Sequence, residues 1–187
     1  MLPPFFYTAL VPRNVPIYLV GMMGVGKSTV GARLASRLGC AFLDSDLEVE
    51  RLAGRTIAEI FESDGAAHFR ALEAEVIEAM AAQASVVALG GGAVVGPGAM
   101  DRLLATGEIV FLKADSELLI DRIGDATKRP LLAGLDRVQQ IEKLEILLAE
   151  RRPLYEQARI HVDARGSVEE VVDRIVSELA AQTGRAK

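Results

Sequence analysis

Short runs of apolar residues alternate along this chain with longer segments in which apolar residues recur every three or four positions. This alternation is typical of a parallel sheet that is covered by helices. Five apolar runs are predicted strands: Ile17–Val20, Ala41–Leu43, Val86–Leu89, Ile109–Leu112 and Ile160–Val162. The pattern therefore predicts an α/β fold, with a five-stranded parallel sheet and helices on both faces.

Four segments have the apolar spacing of amphipathic helices. In the first, Val30, Leu34 and Leu38 recur every four residues, and Gly39 is a typical residue to end the helix. The other three extend over residues 69–80, 138–148 and 168–179. Residues 56–59 (TIAE) and 167–170 (SVEE) match the capping box, in which a hydroxyl and a carboxylate satisfy free amide groups reciprocally. Both segments therefore predict helix starts.

The length of 187 residues predicts one domain, over residues 15–187. Residues 1–14 contain three prolines and one arginine, and we expect them to form a loose tail. Residues 124–136 (GDATKRPLLAGLD) have Gly and Pro and no sustained period. They are predicted to form a mobile surface loop, of a length that is often functional.

Composition excludes several classes of partner. A net charge of −5 argues against nucleic acid, because a phosphate backbone needs a basic face. The longest uncharged stretch, Ala79–Met100, contains a Gly triplet and a Gly-Pro-Gly sequence that would break a membrane-spanning helix. Cys40 is the single cysteine, which excludes an internal disulfide and favours a reducing compartment. We therefore expect a cytoplasmic protein with no nucleic-acid or membrane partner.

A phosphate-binding motif follows the first predicted strand. Residues 21–28 (GMMGVGKS) fit the pattern G-x-x-x-x-G-K-[ST], and an amphipathic helix follows. Glycines let backbone amides surround phosphates, Lys27 can reach the β and γ phosphates, and Ser28 can ligate Mg²⁺. The strand–loop–helix context argues against a glycine-rich turn with an incidental lysine. A GTPase would also need an N-K-x-D-type element, and the sequence contains none.

Two aspartates follow the second predicted strand. In an extended chain, residues two apart such as Asp44 and Asp46 point to one face, beyond the end of the strand where open α/β sheets bind ligands. One carboxylate could support the metal's water shell, and the other could orient a substrate hydroxyl. The spacing alone leaves open a pair of solvated turn aspartates.

Five further motifs occur together with the phosphate-binding motif. They are FLDSD at 42–46, GAAHFR at 65–70 followed by Glu73, GGG at 90–92, RPLL at 129–132 and RRPLY at 151–155. In order and approximate spacing this set resembles the shikimate kinase family, from about residue 16 to residue 179. One departure is Ala66, where the family usually has Glu.

The resemblance implies an ATP-dependent kinase that phosphorylates the 3-hydroxyl of shikimate and requires Mg²⁺. It implies a fold like that of nucleoside monophosphate kinases, with a substrate-binding helical segment near residues 47–82 and a lid near residues 124–136. The partners would be the small molecules ATP and shikimate, and we expect a monomer.

Each position that matches the family carries an implied role. Catalysis is implied for Lys27, Asp46 and Arg129. Nucleotide contacts are implied for Gly24, Val25, Gly26, Lys27, Ser28, Thr29, Arg122, Arg129 and Arg165. Substrate contacts are implied for Asp46, Arg70, Gly90, Gly91, Gly92 and Arg151. Metal support is implied for Ser28 and Asp44, the latter largely through water.

Plainer interpretations of the arginines remain open at this point. Arg70 and Glu73 could form a surface ion pair at helical spacing, and Arg151 and Arg152 could complement a helix dipole. We assign Arg151, and not Arg152, to the substrate from its alignment with the Pro-Leu-Tyr sequence that follows. The alternative functions are another small-molecule kinase, such as one for gluconate, and a nucleotide-binding sensor without turnover. A planar arginine fork matches a carboxylate, and the set of Arg70, residues 90–92 and Arg151 fits a cyclic acid better than gluconate.

Overall fold

Five parallel strands form the centre of the computed structural model, which describes residues 15–82, 85–126, 129 and 131–185. The strands are β1 (Ile17–Val20), β2 (Ala41–Asp44), β3 (Ser85–Ala88), β4 (Glu108–Lys113) and β5 (Ile160–Asp163). Their order is β2-β3-β1-β4-β5, and every neighbouring pair is parallel. The predicted α/β fold is confirmed, and no predicted strand boundary differs from the observed one by more than one residue.

Helices fill the connections between these strands. They are α1 (Lys27–Leu38), α2 (Ser45–Ala53), α3 (Ile57–Ser63), α4 (Gly65–Ala81), α5 (Ala99–Thr106), α6 (Ser116–Ile123), α7 (Arg137–Tyr155) and α8 (Val168–Arg185). The four predicted amphipathic helices correspond to α1, α4, α7 and α8. The sequence pattern did not predict α2, α5 and α6, because helices of eight or nine residues contain too few apolar repeats to establish a period.

The central strand β1 is buried on both faces. Ile17 and Leu19 pack into one core with α1 and α8, while Tyr18 and Val20 pack into a second core with α4. Because successive side chains of a strand point to opposite faces, a strand that is covered on both sides is a continuous apolar run. This explains why the interior strands could be predicted from contiguous runs of apolar residues.

Local hydrogen bonds determine where several helices begin and end. Thr56 and Glu59 form the predicted capping box at the start of α3, and Ser167 with Glu170 does the same before α8. Gly39 ends α1 in the left-handed conformation, at φ 70°. These three predicted boundaries are confirmed.

Some predictions fall on residues outside the described part of the chain. The expected tail, residues 1–14, lies there entirely, and so do Thr127, Lys128 and Pro130 of the expected lid. Within the described ranges, no helix is both long and apolar enough to span a membrane. The uncharged stretch 79–100 contains instead the end of α4, the strand β3 and a turn.

Candidate functional site

A cavity of about 1220 Å³ opens where β1, β2, β3 and β5 end at their carboxyl edge. This edge is where open parallel sheets bind ligands. The cavity is lined by residues from all of the predicted motifs, including Lys27, Ser28, Asp44, Asp46, Arg70, Gly90, Gly91, Gly92, Arg122, Arg129 and Arg151. The fold thus brings together side chains that are more than a hundred positions apart in sequence.

The phosphate loop, residues 21–28, leads from β1 into α1. Gly21 and Gly24 have φ values of 142° and 80°, in the range that favours glycine. A Cβ atom at Gly24 would also lie 2.6 Å from Ile123 Cγ1. The loop therefore requires glycine for conformation and for space, and the amino end of α1 points its free amide groups toward the cavity. Gly26, Val25 and Thr29 also line this end.

Lys27 lies inside the loop and donates hydrogen bonds to two loop carbonyls. Its Nζ is 2.9 Å from the oxygen of Gly21 and 3.2 Å from that of Met22. Burial lowers the pKa of Lys27 to about 8, although the nearby carboxylates of Asp46 and Asp44 oppose this shift. Among the described residues, this half-buried ammonium donates hydrogen bonds to carbonyl oxygens, which it is suited to exchange for an anionic phosphate.

Asp44 ends β2 and caps α2. Its Oδ1 accepts a hydrogen bond from the amide of Asp46 at 3.1 Å, and its Oδ2 accepts one from the Ser28 hydroxyl at 2.6 Å. The prediction that Asp44 and Asp46 lie in one extended segment is wrong, because Asp46 lies in the first turn of α2. Both still line the cavity, since the N-cap residue and the first turn of a helix point to the same end.

The oxygen atoms of Ser28 and Asp44 fit a hard divalent cation. A hydroxyl and a carboxylate within hydrogen-bond distance of each other, beside a phosphate loop, are the ligand types that Mg²⁺ prefers. Among the described residues, no three His, Cys, Asp or Glu side chains are grouped to hold a metal. A cation here would therefore complete its coordination with oxygens from other sources, such as nucleotide and water.

Asp46 is a half-buried carboxylate that lines the cavity. Burial raises its pKa, and the charge of Asp44 adds to this shift, while Lys27 opposes it. Gly90 lies against this carboxylate so closely that a Cβ atom there would overlap with Asp46 Oδ1. A carboxylate with a raised pKa in a cavity is a candidate to accept a proton from a bound hydroxyl.

Arg70 and Glu73 form an ion pair on α4 that opens onto the cavity. The interpretation as a surface pair does not describe it, because Glu73 is only 4% exposed. Burial raises the pKa of Glu73, which the bond from Arg70 opposes. Glu73 Oε1 has no hydrogen-bond partner among the described residues and lies beside Gly90 and Asp46. The pair holds the guanidinium at the cavity wall.

Arg151 approaches the same wall from α7. Its Nη1 donates to the carbonyl of Gly91 at 2.8 Å, and it lines the cavity. Arg152 is exposed and is absent from the cavity lining. Arg70 lies so close to Gly92 that a Cβ atom there would overlap with its guanidinium. The two guanidinium groups therefore flank residues 90–92 together.

The remaining predicted arginines occupy different positions. Arg122 joins the phosphate loop to the end of β5 through bonds to the carbonyls of Val25 at 2.9 Å and Ala164 at 2.7 Å. Arg129 lines the cavity. Arg165 is absent from the lining and is paired with Asp115 and Asp163 at the surface.

Sequence reasoning missed some residues of the site. The apolar wall includes Ile57 and Phe61 of α3, together with Leu131 of the expected lid segment. Phe61 is 41% exposed and Leu131 is 46% exposed, an unusual degree for large apolar side chains. A sequence signal existed for α3, because the capping box at Thr56 predicts a helix whose first apolar residue is Ile57.

Comparison with protein families agrees with this geometry. A family model described as shikimate kinase matches residues 23–180. A shikimate kinase from Mycobacterium avium (strain 104) is 48% identical over 175 residues, which cover 92% of this chain and 96% of the relative. A shikimate kinase from Salinibacter ruber is 41% identical over 186 residues, which cover 96% of this chain and 91% of the relative.

Solved structures show the same relationship. The structure of shikimate kinase from Acinetobacter baumannii in complex with shikimate has a TM-score of 0.85 and 36% identity, and covers 96% of this chain and 98% of its own. A gluconokinase from Sinorhizobium meliloti 1021 has a TM-score of 0.61 at 20% identity, covering 93% of this chain and 96% of its own. The latter likeness concerns the fold alone.

Proposed function

Because this chain belongs to the shikimate kinase family, we propose that it transfers the γ-phosphoryl group of ATP to the 3-hydroxyl of shikimate. It is an ATP-dependent small-molecule kinase, and the product, 3-phosphoshikimate, is an intermediate of aromatic amino-acid biosynthesis. One observation supports the residue roles more than any other. Lys27, Asp46, Arg70 and Arg151 line a single cavity, so an acidic ring could lie within reach of a bound triphosphate.

Proton transfer is the proposed role of Asp46. Its carboxylate accepts the proton of the 3-hydroxyl, and the hydroxyl oxygen forms a bond to the γ phosphorus. The bond from that phosphorus to the β–γ bridging oxygen breaks, and ADP departs with the electron pair. Burial raises the pKa of Asp46, which makes it a better base than an exposed aspartate.

Charge stabilisation is the proposed role of Lys27 and Arg129. Phosphoryl transfer involves little covalent participation by protein, so positioning and neutralisation of charge account for most of its acceleration. Lys27 would exchange the carbonyls of Gly21 and Met22 for phosphate oxygens. Arg129, which lines the same cavity, would act from a lid at residues 124–136 that limits access of water to the phosphoryl group.

Recognition of the acid is the proposed role of Arg70 and Arg151. Both guanidinium groups flank residues 90–92, and the bond that Arg70 donates to Glu73 restricts the rotation of Arg70. A planar guanidinium binds a carboxylate through two parallel hydrogen bonds, which a lysine cannot do. Backbone groups of Gly90, Gly91 and Gly92 would complete the substrate pocket, with the helical segment at residues 47–82.

Kinases of this family transfer phosphoryl groups from ATP, typically with a divalent metal. We propose Mg²⁺, held by the Ser28 hydroxyl and, largely through water, by the Asp44 carboxylate. When bound, the ion would neutralise charge on the triphosphate. The adenosine would lie near Arg122, beyond the phosphate contacts from Gly24, Val25, Gly26 and Thr29. An adenine contact by Arg165 would require its ion pairs with Asp115 and Asp163 to rearrange.

One chain supplies every proposed contact, which supports a monomer as the active unit. We propose that residues 15–187 act as a single kinase domain. The absence of any disulfide from a chain with one cysteine is compatible with a cytoplasmic location.

The deciding experiment is an assay of ADP release with the purified chain, ATP and Mg²⁺. We expect turnover with shikimate and only background release with gluconate or without an acceptor. Turnover with gluconate alone would favour the gluconate-type alternative. ATP binding without turnover on either acceptor would favour a nucleotide-binding sensor.

A further inference from the structure

Residues 90–92, here called the glycine loop, are held by side chains from two distant helices. The amide of Gly90 donates to the Ser45 hydroxyl at 2.9 Å. The carbonyl of Gly91 accepts from the Tyr155 hydroxyl at 2.7 Å and from Arg151 Nη1 at 2.8 Å. The loop is therefore anchored at two successive residues by side chains of α2 and α7.

Ser45 is the first residue of α2 and lies between the two aspartates of the site. Its side chain is fully buried, and it does not line the cavity. It cannot contact a ligand there, yet its hydroxyl joins the segment that carries Asp46 to the segment that carries Gly90. A serine at this position therefore determines the distance between the proposed base and the glycine loop.

Tyr155 is the last residue of α7 and also lies outside the cavity lining. It is 1% exposed, and its ring stacks on that of Phe111 with 5.0 Å between centroids. Its hydroxyl shares the Gly91 carbonyl with Arg151, the residue four positions earlier on the same helix. Through this shared acceptor, Tyr155 fixes both the loop and the guanidinium beside it.

The glycine loop has little freedom to move without disturbing the site. Cβ atoms at Gly90 and Gly92 would overlap with Asp46 and Arg70 respectively, so the backbone is already in close contact with both side chains. A displacement of the loop would therefore change the positions of Asp46, Arg70 and Arg151 together. Among the described residues, no acceptor is bonded to the amides of Gly91 and Gly92, so both remain available to a ligand.

We propose that the hydroxyl groups of Ser45 and Tyr155 are positioning groups for the acceptor pocket, which hold the glycine loop and Arg151 where the substrate carboxylate binds. The proposal rests on the proposed function, since it concerns how the same site recognises its acid. It assigns a role in acceptor binding to two residues that do not touch the acceptor, and it assigns them no role in ATP binding.

The test uses Tyr155→Phe and Ser45→Ala, which remove only the hydroxyl groups. Each has a matched control outside the cavity. Tyr18→Phe removes a buried tyrosine hydroxyl bonded to Thr106 at 3.0 Å. Ser116→Ala removes the buried hydroxyl of the first residue of α6, which is bonded to Glu145 at 3.2 Å. For all four variants, KM for shikimate, KM for ATP, kcat and Tm are measured.

We expect each test variant to raise KM for shikimate about threefold to tenfold, the effect of losing one buried hydrogen bond. KM for ATP should stay within about twofold of the parent value, and the controls should lower Tm by a similar amount with neither KM changed. An unchanged KM for shikimate in Tyr155→Phe would overturn the role of Tyr155, and the same result in Ser45→Ala that of Ser45. If the controls changed KM for shikimate by the same factor, the effects of Ser45→Ala and Tyr155→Phe would reflect a general loss of stability and not a positioning role.

The activity of the unsubstituted chain with shikimate distinguishes a failure of the positioning role from a failure of the proposed kinase function. If the parent chain does not phosphorylate shikimate, the proposed function fails, and the positioning role fails with it. If the parent is active and the variants bind shikimate normally, only the positioning role fails. Should Ser45→Ala not fold, the near-isosteric Ser45→Cys replaces the hydroxyl by a weak acceptor and tests the same position. Tyr155→Phe tests Tyr155 independently, because its ring and its stacking on Phe111 are retained.

Discussion

The phosphate loop and the glycine loop both follow a buried strand of the same sheet, but they are held differently. The phosphate loop at residues 21–28 takes its shape from its own glycines and from the helix that follows directly. The glycine loop at residues 90–92 is held by Ser45, Arg151 and Tyr155, which come from α2 and α7. The phosphate loop is determined mainly by its own sequence, with Arg122 of α6 as an added contact, whereas the glycine loop depends on side chains from two distant helices.

This difference distinguishes the binding of the nucleotide from the binding of the acceptor in the proposed reaction. A locally determined loop needs only a strand, eight residues and a helix, and phosphates are bound mainly by backbone amides and one lysine. The acceptor pocket instead requires α2, α4 and α7 to present side chains to one backbone segment. We therefore expect substitutions at the nucleotide end, and of the proposed base Asp46, to lower turnover, and substitutions of the acceptor-end arginines to change affinity for the acid selectively.

The largest effect is expected for Lys27→Ala. It removes the cation proposed to neutralise the transferring phosphoryl group, so kcat should fall about 10³-fold to 10⁵-fold. The measurement is steady-state ADP release with both substrates saturating. Lys113→Ala is the control, because Lys113 lies over the Phe111 ring and does not line the cavity. If the Lys27 variant kept more than a tenth of the parent's kcat, the proposed role would be wrong.

The next effect is expected for Asp46→Asn, which keeps the shape of the side chain and removes the proposed base. We expect kcat to fall about 10²-fold to 10³-fold, in the range of general base catalysis. Affinity for ATP, measured by calorimetry without shikimate, should change little. Unaltered turnover would remove Asp46 from the mechanism, whereas a large loss of ATP affinity would assign it to the nucleotide end.

A smaller and more selective effect is expected for Arg70→Ala. Loss of charged hydrogen bonds to the acid should raise KM for shikimate about 10-fold to 100-fold, with KM for ATP almost unchanged. Arg51→Ala is the matched control, since Arg51 forms an ion pair with Glu48 at the same helical spacing but is absent from the cavity lining. Normal affinity for shikimate in the Arg70 variant would contradict its assignment.

The same difference explains how much the sequence could predict. The phosphate loop was evident because its residues are contiguous and its geometry follows from glycine and helix termini. The interior strands β1, β3 and β4 were predicted because burial on both faces makes them nearly continuous apolar runs. The helical position of Asp46 was not predicted, since the cap at Asp44 that starts α2 depends on side-chain hydrogen bonds two and three residues away.

The acceptor pocket was predicted only through its resemblance to a family. Spacing alone could not distinguish Arg70 on a cavity wall from Arg51 in solvent, because each has a glutamate three residues away. Ser45 and Tyr155 gave no signal of a role, since their hydrogen bonds reach residues 45 and 64 positions away in sequence. Such contacts exist only after the sheet and helices have assembled.

The smallest effect is expected from pH, and it tests the nucleotide end without a substitution. Burial lowers the pKa of Lys27 to about 8, so its ammonium loses its proton as pH rises from 7 to 9. Since kcat/KM reports the ionisation of the free enzyme, kcat/KM for ATP should fall by up to about tenfold over this interval. KM for shikimate at saturating ATP should change less, because the bound triphosphate favours the protonated lysine and raises its pKa. A value of kcat/KM for ATP that stays level to pH 9 would mean that Lys27 keeps an ordinary lysine pKa despite its burial.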